Sequence, residues 1–134
     1  MRGGKIKVHI ADDHKILIEG IIAILNTDKR IEVVGHSVNG DEVIEWFKTN
    51  KADILILDIN MPRLDGIEVL KRLIKKNEHQ KVIMLSSYDD VKLVKELVNE
   101  GANGFISKAS AGEHILQAII AVHHNLPYFS DDLR

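Results

Sequence analysis

The chain has 134 residues, 45% hydrophobic and 28% charged, with 18 Lys and Arg against 20 Asp and Glu for a net charge of −2. This is the composition of one globular domain with a real core; it presents no basic field to a nucleic-acid backbone and, at 4% aromatic, no stacking surface for single strands. Lack of cysteine excludes a disulfide framework and thiolate chemistry, and the charge-broken opening MRGGKIKVHIADDH is neither signal peptide nor membrane span, so the expected setting is the cytoplasm.

Apolar runs alternate with helical patterns along the whole chain. Residues 5–11 read as a strand and 14–26 as a helix, 31–38 as a strand and 41–49 as a helix. Residues 54–57 form the most apolar strand, expected at the sheet centre and buried on both faces. A helix over 66–76, a strand over 82–85, a helix over 90–100, a strand over 104–107 and a helix over 111–125 complete five units. Such alternation predicts an α/β fold with a doubly wound parallel sheet and helices on both faces. Asn39 with Glu42, Asp65 with Glu68 and Ser110 with Glu113 have capping-box spacing, while Gly35 and Gly101 punctuate element ends. The tail LPYFSDDLR reads as a frayed end, so residues 1–126 form the domain and 127–134 the tail.

The chemistry gathers at strand ends. Asp12-Asp13 closes the first apolar run and Asp58 the third, Ser86 ends the fourth, and Lys108 follows the fifth. Ligands of open α/β sheets bind at that edge. Three carboxylates there repel one another unless a hard cation sits among them, and an oxygen donor set suits Mg²⁺, with Mn²⁺ able to substitute. Asp13 and Asp58 are candidate direct ligands, Asp12 a direct or water-mediated one, and the Asn60 carbonyl a fourth. Asp58 is a candidate nucleophile toward phosphorus, with Lys108 pairing one phosphoryl oxygen and Ser86 bonding another. Taken singly, each has a plainer reading: an Asp after a strand is commonly a helix cap, a Ser a turn residue, a Lys a solvated charge. Together, at successive strand ends, they point to one site. The histidines read as structural, His9 in a strand and His123-His124 at a helix end; His14, beside the acidic pair, is the possible exception.

Two helices carry wide apolar bands. Leu17, Ile21 and Leu25 make one stripe of the first, and Ile18 and Ile22 a second. In the last, Leu116 and Ile120 widen the face of Ile115, Ile119 and Val122. The plain reading is a broad core-facing band; the sharper one makes Leu17, Ile18, Ile22, Leu116 and Ile120 a dimer surface.

The segments I-A-D-D-H, L-D-I-N-M-P-R-L-D-G, M-L-S-S and G-F-I-S-K, in this order and spacing, resemble the receiver domain of two-component response regulators over nearly the whole chain. The D-D-H, S-S-Y-D-D and K-A-S segments are similar to the NarL/LuxR/DegU subfamily, which carries a C-terminal helix-turn-helix output domain. The resemblance implies a flavodoxin-like (βα)5 sheet of order 2-1-3-4-5. It also implies Asp58 as acceptor of a phosphoryl group from a sensor histidine kinase, Asp12, Asp13, Asp58 and the Asn60 backbone as Mg²⁺ ligands, and Ser86 and Lys108 as phosphoryl-binding residues. Ser87 stands where a small Ala is usual, Phe105 is the switch aromatic, and Met61-Pro62 with Gly66 shape the Asp58 turn. Ala109 replaces a common Pro, which leaves open whether the Lys108–Ala109 peptide is cis. The expected outcome of phosphorylation is homodimerisation and DNA binding through an output domain absent from this chain, the fragment itself contacting neither DNA nor membrane. LPYFSDDLR resembles the start of the interdomain linker, which favours an excised receiver over a stand-alone one. Phosphoryl lifetime is expected to depend on Asn60 and Tyr88. The rival is a Mg²⁺-dependent phosphohydrolase acting through an aspartyl phosphate. Against it, Asn60 stands where such enzymes usually have a second Asp, so the chain is expected not to be a turnover enzyme.

Overall fold

A computed structural model describes residues 4–87 and 91–130, with the backbone alone at residue 91; Tyr88 lies outside the described residues. The elements are β1 (Ile6–Ala11), α1 (Lys15–Leu25), β2 (Ile31–Ser37), α2 (Gly40–Thr49), β3 (Ile54–Asp58), α3 (Gly66–Lys76), β4 (Lys81–Ser86), α4 (Val91–Asn99), β5 (Gly104–Ser107), a 3₁₀ turn (Lys108–Ser110), α5 (Ala111–His123) and β6 (Tyr128–Phe129). All strands pair in parallel in the order β2-β1-β3-β4-β5-β6. The order expected from the resemblance therefore holds, with one strand added.

Strand periodicity sorts the core into two layers. Val8, Ile10, Ile54, Ile56, Ile83, Leu85 and Ile106 face one side, where Ile18, Ile21 and Leu25 of α1 and Ile115, Ala118, Ile119 and Val122 of α5 cover them. Ala11, Leu55, Leu57, Val82, Met84 and Phe105 face the other, against Val43 of α2, Val69, Leu70 and Leu73 of α3 and Leu97 of α4. β3 is buried at all five positions, as a central strand with helices on both sides must be.

Local signals explain the element starts. Asn39 accepts from the Glu42 N–H at 2.9 Å, while Glu42 reaches back to the Val38 N–H at 2.8 Å. Asp65 accepts from the Glu68 N–H at 2.9 Å. The box expected at Ser110 does not form, because its hydroxyl lies 2.7 Å from that of Ser107 and caps nothing. Gly35 is inside β2 rather than at its end. It sits where the pairing with β1 slips between Val8 and His9, and a Cβ there would stand 2.8 Å from both His9 Nδ1 and Trp46 Nε1.

The tail is the larger correction. Tyr128–Phe129 pairs with Gly104 and Phe105 of β5, and Ser130 is fully buried. The Phe129 ring stacks on Phe105 at 5.6 Å, and the Tyr128 hydroxyl joins His114 (2.6 Å) and Gln117 (3.0 Å) on α5. Ser130 donates its N–H to the Phe105 carbonyl at 3.0 Å and accepts from the Ser107 N–H at 3.2 Å. Tyr128–Phe129 thus extends the sheet, and Ser130 is anchored to its edge. The proposed dimer stripe also changes: Ile18 is 4% exposed and is core, while Leu17, Ile22, Leu116 and Ile120 are half-buried against the same layer.

Candidate functional site

Parallel pairing puts the chemistry on one edge. Ala11 lies opposite Leu57, Asp58 opposite Leu85 and Ser86 opposite Ser107, so the residues ending β1, β3, β4 and β5 emerge side by side. Asp12 is anchored there through its N–H to the Ser37 carbonyl at 3.0 Å. Gly66 lets α3 start directly against the Asp58 turn: its N–H donates to the Ile59 carbonyl at 2.8 Å, and a Cβ would lie 2.1 Å from the Asp58 carbonyl oxygen.

Lys108 ties the edge together. Its ammonium donates to Asp58 Oδ2 at 2.9 Å and approaches Asp12 Oδ2 at 3.2 Å and Oδ1 at 3.5 Å. The Asp58 side chain is 1% exposed and that of Asp12 0%. Asn60 donates its N–H to Asp58 Oδ1 at 3.2 Å, and His14 donates its N–H to Asp12 Oδ1 at 2.8 Å. Ser86 is buried at the same edge, whereas Ser87 and Asn60 are exposed. Phe105 does not line the site; it points into the opposite layer, 1% exposed, under Phe129. The Lys108–Ala109 peptide is trans, as are all those described.

Burial raises the Asp58 carboxyl to about 6. The Lys108 hydrogen bond opposes this, repulsion from Asp12 adds to it, and the Lys108 charge and the Asn60 N–H pull it back. Burial also disfavours the Lys108 charge, but its hydrogen bond and attraction to Asp58, joined by Asp12, hold the ammonium above the ordinary lysine range. The balance is one cation for two buried carboxylates plus Asp13 nearby.

That imbalance is the fit test for a metal. Ligand atoms of Asp12, Asp13, His14 and Asp58 lie within 4.8 Å of one another. Asp12 Oδ2 is buried and, although near the ammonium, accepts no hydrogen bond of acceptable geometry. A buried acceptor without a donor is costly, and a cation is what satisfies it. The acidic set fits a divalent ion. The structure brings Asp12, Asp13, Asp58, Asn60, Ser86 and Lys108, each named from the sequence, to this one edge. The sequence flagged His14 only as a possible exception, and the ring in fact stands within 3.3 Å of Asp12, Asp13 and Lys108.

Comparison with known proteins agrees with the geometry. The response regulator receiver domain model matches residues 8–120. The response regulator UvrY of Escherichia coli is 31% identical over 128 residues, covering 96% of this chain and 59% of UvrY. The transcriptional regulatory protein DegU of Brevibacillus brevis is 32% identical over 118 residues, covering 88% of this chain and 50% of DegU. The chain thus spans between half and three-fifths of these relatives. Among solved structures, the receiver domain of the putative response regulator NarL of Mycobacterium tuberculosis superposes with a TM-score of 0.82 at 29% identity, covering 90% of this chain and 98% of that one. The isolated RcsB receiver domain of Salmonella enterica serovar Typhimurium, solved with the phosphomimetic BeF₃⁻, superposes with a TM-score of 0.89 over 97% of this chain and 96% of that one; at 23% identity it bears on the fold alone. The chain belongs to the response regulator receiver domain family, and within it to the NarL/LuxR kind.

Proposed function

We propose that Asp58 accepts a phosphoryl group from a sensor histidine kinase in a Mg²⁺-dependent reaction, and that the modification controls dimerisation and a DNA-binding output domain. The observation that carries this reading is a nearly inaccessible carboxylate at the end of β3, held 2.9 Å from an ammonium and crowded by a second buried acid. In the transfer, an Asp58 oxygen bonds to phosphorus as the donor's P–N bond breaks, its electron pair passing to the departing imidazole. No proton leaves Asp58, whose carboxyl, at about 6, is mostly ionised at neutral pH. Asp12, Asp13, Asp58 and the Asn60 carbonyl would hold Mg²⁺, which when bound neutralises charge so that anion can approach anion.

Phosphorylation adds about −1.5 to −2 charge and three acceptor oxygens. Lys108 then pairs with one new oxygen and the Ser86 hydroxyl moves to another. Phe105 rotates into the space vacated and parts from Phe129, changing the surface around α4 and α5. The process is self-catalysed and stoichiometric, because Asn60 gives the site no acid for turnover. The setting is cytoplasmic; among the described residues no helix is long and apolar enough to cross a membrane.

Intact mass after incubation with acetyl phosphate and Mg²⁺ tests the reading. The expected result is one added phosphoryl group, absent with EDTA and absent in Asp58→Asn. Steady release of inorganic phosphate without an adduct would instead identify a phosphohydrolase. Light scattering with and without beryllofluoride tests the dimer, and an unchanged mass counts against phosphorylation-driven association of this chain.

A further inference from the structure

His14 is the point at which the centre departs from an all-oxygen donor set. It occupies the N-cap of α1, a position for which imidazole has no preference, and makes no side-chain cap there, unlike Asn39 of α2 and Asp65 of α3. Its backbone N–H is instead fixed on Asp12 Oδ1 at 2.8 Å, which turns the ring toward the acids. Nδ1 then lies 3.1 Å from Asp12 Oδ1, 3.3 Å from Asp13 Oδ1 and 3.3 Å from the Lys108 ammonium.

One nitrogen cannot satisfy all three neighbours. With a proton on Nδ1 it donates to the carboxylates but confronts the ammonium; without one it accepts from the ammonium but confronts two carboxylate oxygens. A cation among these atoms removes the conflict, and Asp12 Oδ2, buried, ion-paired with Lys108 at 3.2 Å and without a hydrogen-bond donor, favours positive charge at the same place. The Lys108 nitrogen already shows where a positive charge is drawn: Asp58 Oδ2, both Asp12 oxygens and His14 Nδ1 all lie within 3.5 Å of it.

Resting on the metal-dependent reading above, we propose that His14 Nδ1 is a further ligand that turns this centre toward first-row transition ions, Ni²⁺ and Zn²⁺ ahead of Mn²⁺, over Mg²⁺. Carboxylate, carbonyl and water donors suit Mg²⁺ and Mn²⁺, whereas imidazole suits Ni²⁺ and Zn²⁺, and affinity rises along the Irving–Williams order. A single nitrogen added to an oxygen set gives a large gain for the softer ions and almost none for Mg²⁺. The ring is 66% exposed, so it can be removed without opening the core.

Calorimetric titration at fixed pH with MgCl₂, MnCl₂ and NiCl₂ tests this on the chain and its His14→Ala variant, both carrying His123→Ala and His124→Ala so that the adjacent pair ending α5 contributes nothing. The expected result is that His14→Ala weakens Ni²⁺ binding by about tenfold or more, the scale on which a metal site's supporting residues act, and leaves Mg²⁺ within about twofold. Pulsed electron resonance of the Mn²⁺-loaded chain should show a nitrogen coupling that the variant lacks. Equal losses for Ni²⁺ and Mg²⁺, or an unchanged Ni²⁺ affinity, overturn the role of His14 while leaving the Mg²⁺ site standing. A folded chain that binds neither ion overturns both.

Discussion

The two edges of the sheet use charge in opposite ways. At the C-terminal edge Asp12, Asp58 and Lys108 are packed within hydrogen-bond distance and nearly sealed from solvent. At the N-terminal edge Lys5, Lys7, Lys48, Lys51 and Lys76 surround an open hollow with Asp53, whose carboxylate is held by the Lys7 N–H at 2.7 Å. Lys48 and Lys76 lie in last helical turns, where cations complement the dipole, and the Lys48–Glu45 pair is exposed and worth little. Charge that is converged and dry titrates abnormally and demands a partner. Charge that is dispersed and wet asks for nothing.

The sharpest break of that contrast comes from backbone. Gly66→Ala places a methyl 2.1 Å from the Asp58 carbonyl oxygen and 2.8 Å from Ile59 Cα, neither of which can swing away. Denaturant unfolding should show a loss of about 3 kcal/mol or more, whereas Gly20→Ala in α1, with open space around it, should gain up to about 1 kcal/mol. Equal effects would mean the acidic edge is not tightly built.

Proton linkage is next in size. Burial, helped by His36, lowers His9 from 6.5 to about 4, so its contribution is complete above 6.5 and is lost as pH falls toward 4. Asp58 runs the other way: raised from 3.8 to about 6, it makes folding more favourable as pH falls from 6 to 3.8. Each amounts to about 3 kcal/mol, and in wild-type chain they offset. In EDTA, Asp58→Asn should therefore lose about 3 kcal/mol more than wild type between pH 6.5 and 4. Parallel curves would show that Asp58 does not titrate in that window.

Smaller again is the metal effect. Mg²⁺ at a hundred times its dissociation constant should stabilise the chain by about 2.7 kcal/mol, most of it lost in Asp13→Asn and none in Lys51→Gln. The smallest effect belongs to the lysine edge, where Lys51→Gln and Lys76→Gln should each change stability by less than about 0.5 kcal/mol. A larger value would give that edge a role the contrast denies it.

Most of the acidic edge was legible in sequence because Asp12, Asp58, Ser86 and Lys108 stand at the ends of apolar runs, so locating the strands gathers them on one edge. The lysine edge was not legible, since residues 5, 7, 48, 51 and 76 are joined only by the meeting of strand starts with helix ends. β6 was missed because two residues are too few for alternation to register, and its Gly104 and Phe105 partners lie more than twenty positions away. Helical spacing gives the width of the apolar band on α1 but not its rotation, which left Ile18 between a core-facing band and a dimer surface; Ile18, Ile21 and Leu25 are the buried line. Ser110 had the spacing of a cap but lost its hydroxyl to Ser107.

β6 also bears on how copies of this domain meet. Without it, β5 would end the sheet with a free row of amides and carbonyls, an invitation to strand addition by a neighbouring molecule. Two residues, entered through Pro127 with no N–H to offer, occupy that row against Gly104 and Phe105. Among the described residues the segment thus covers part of the β5 edge against strand addition by a neighbour.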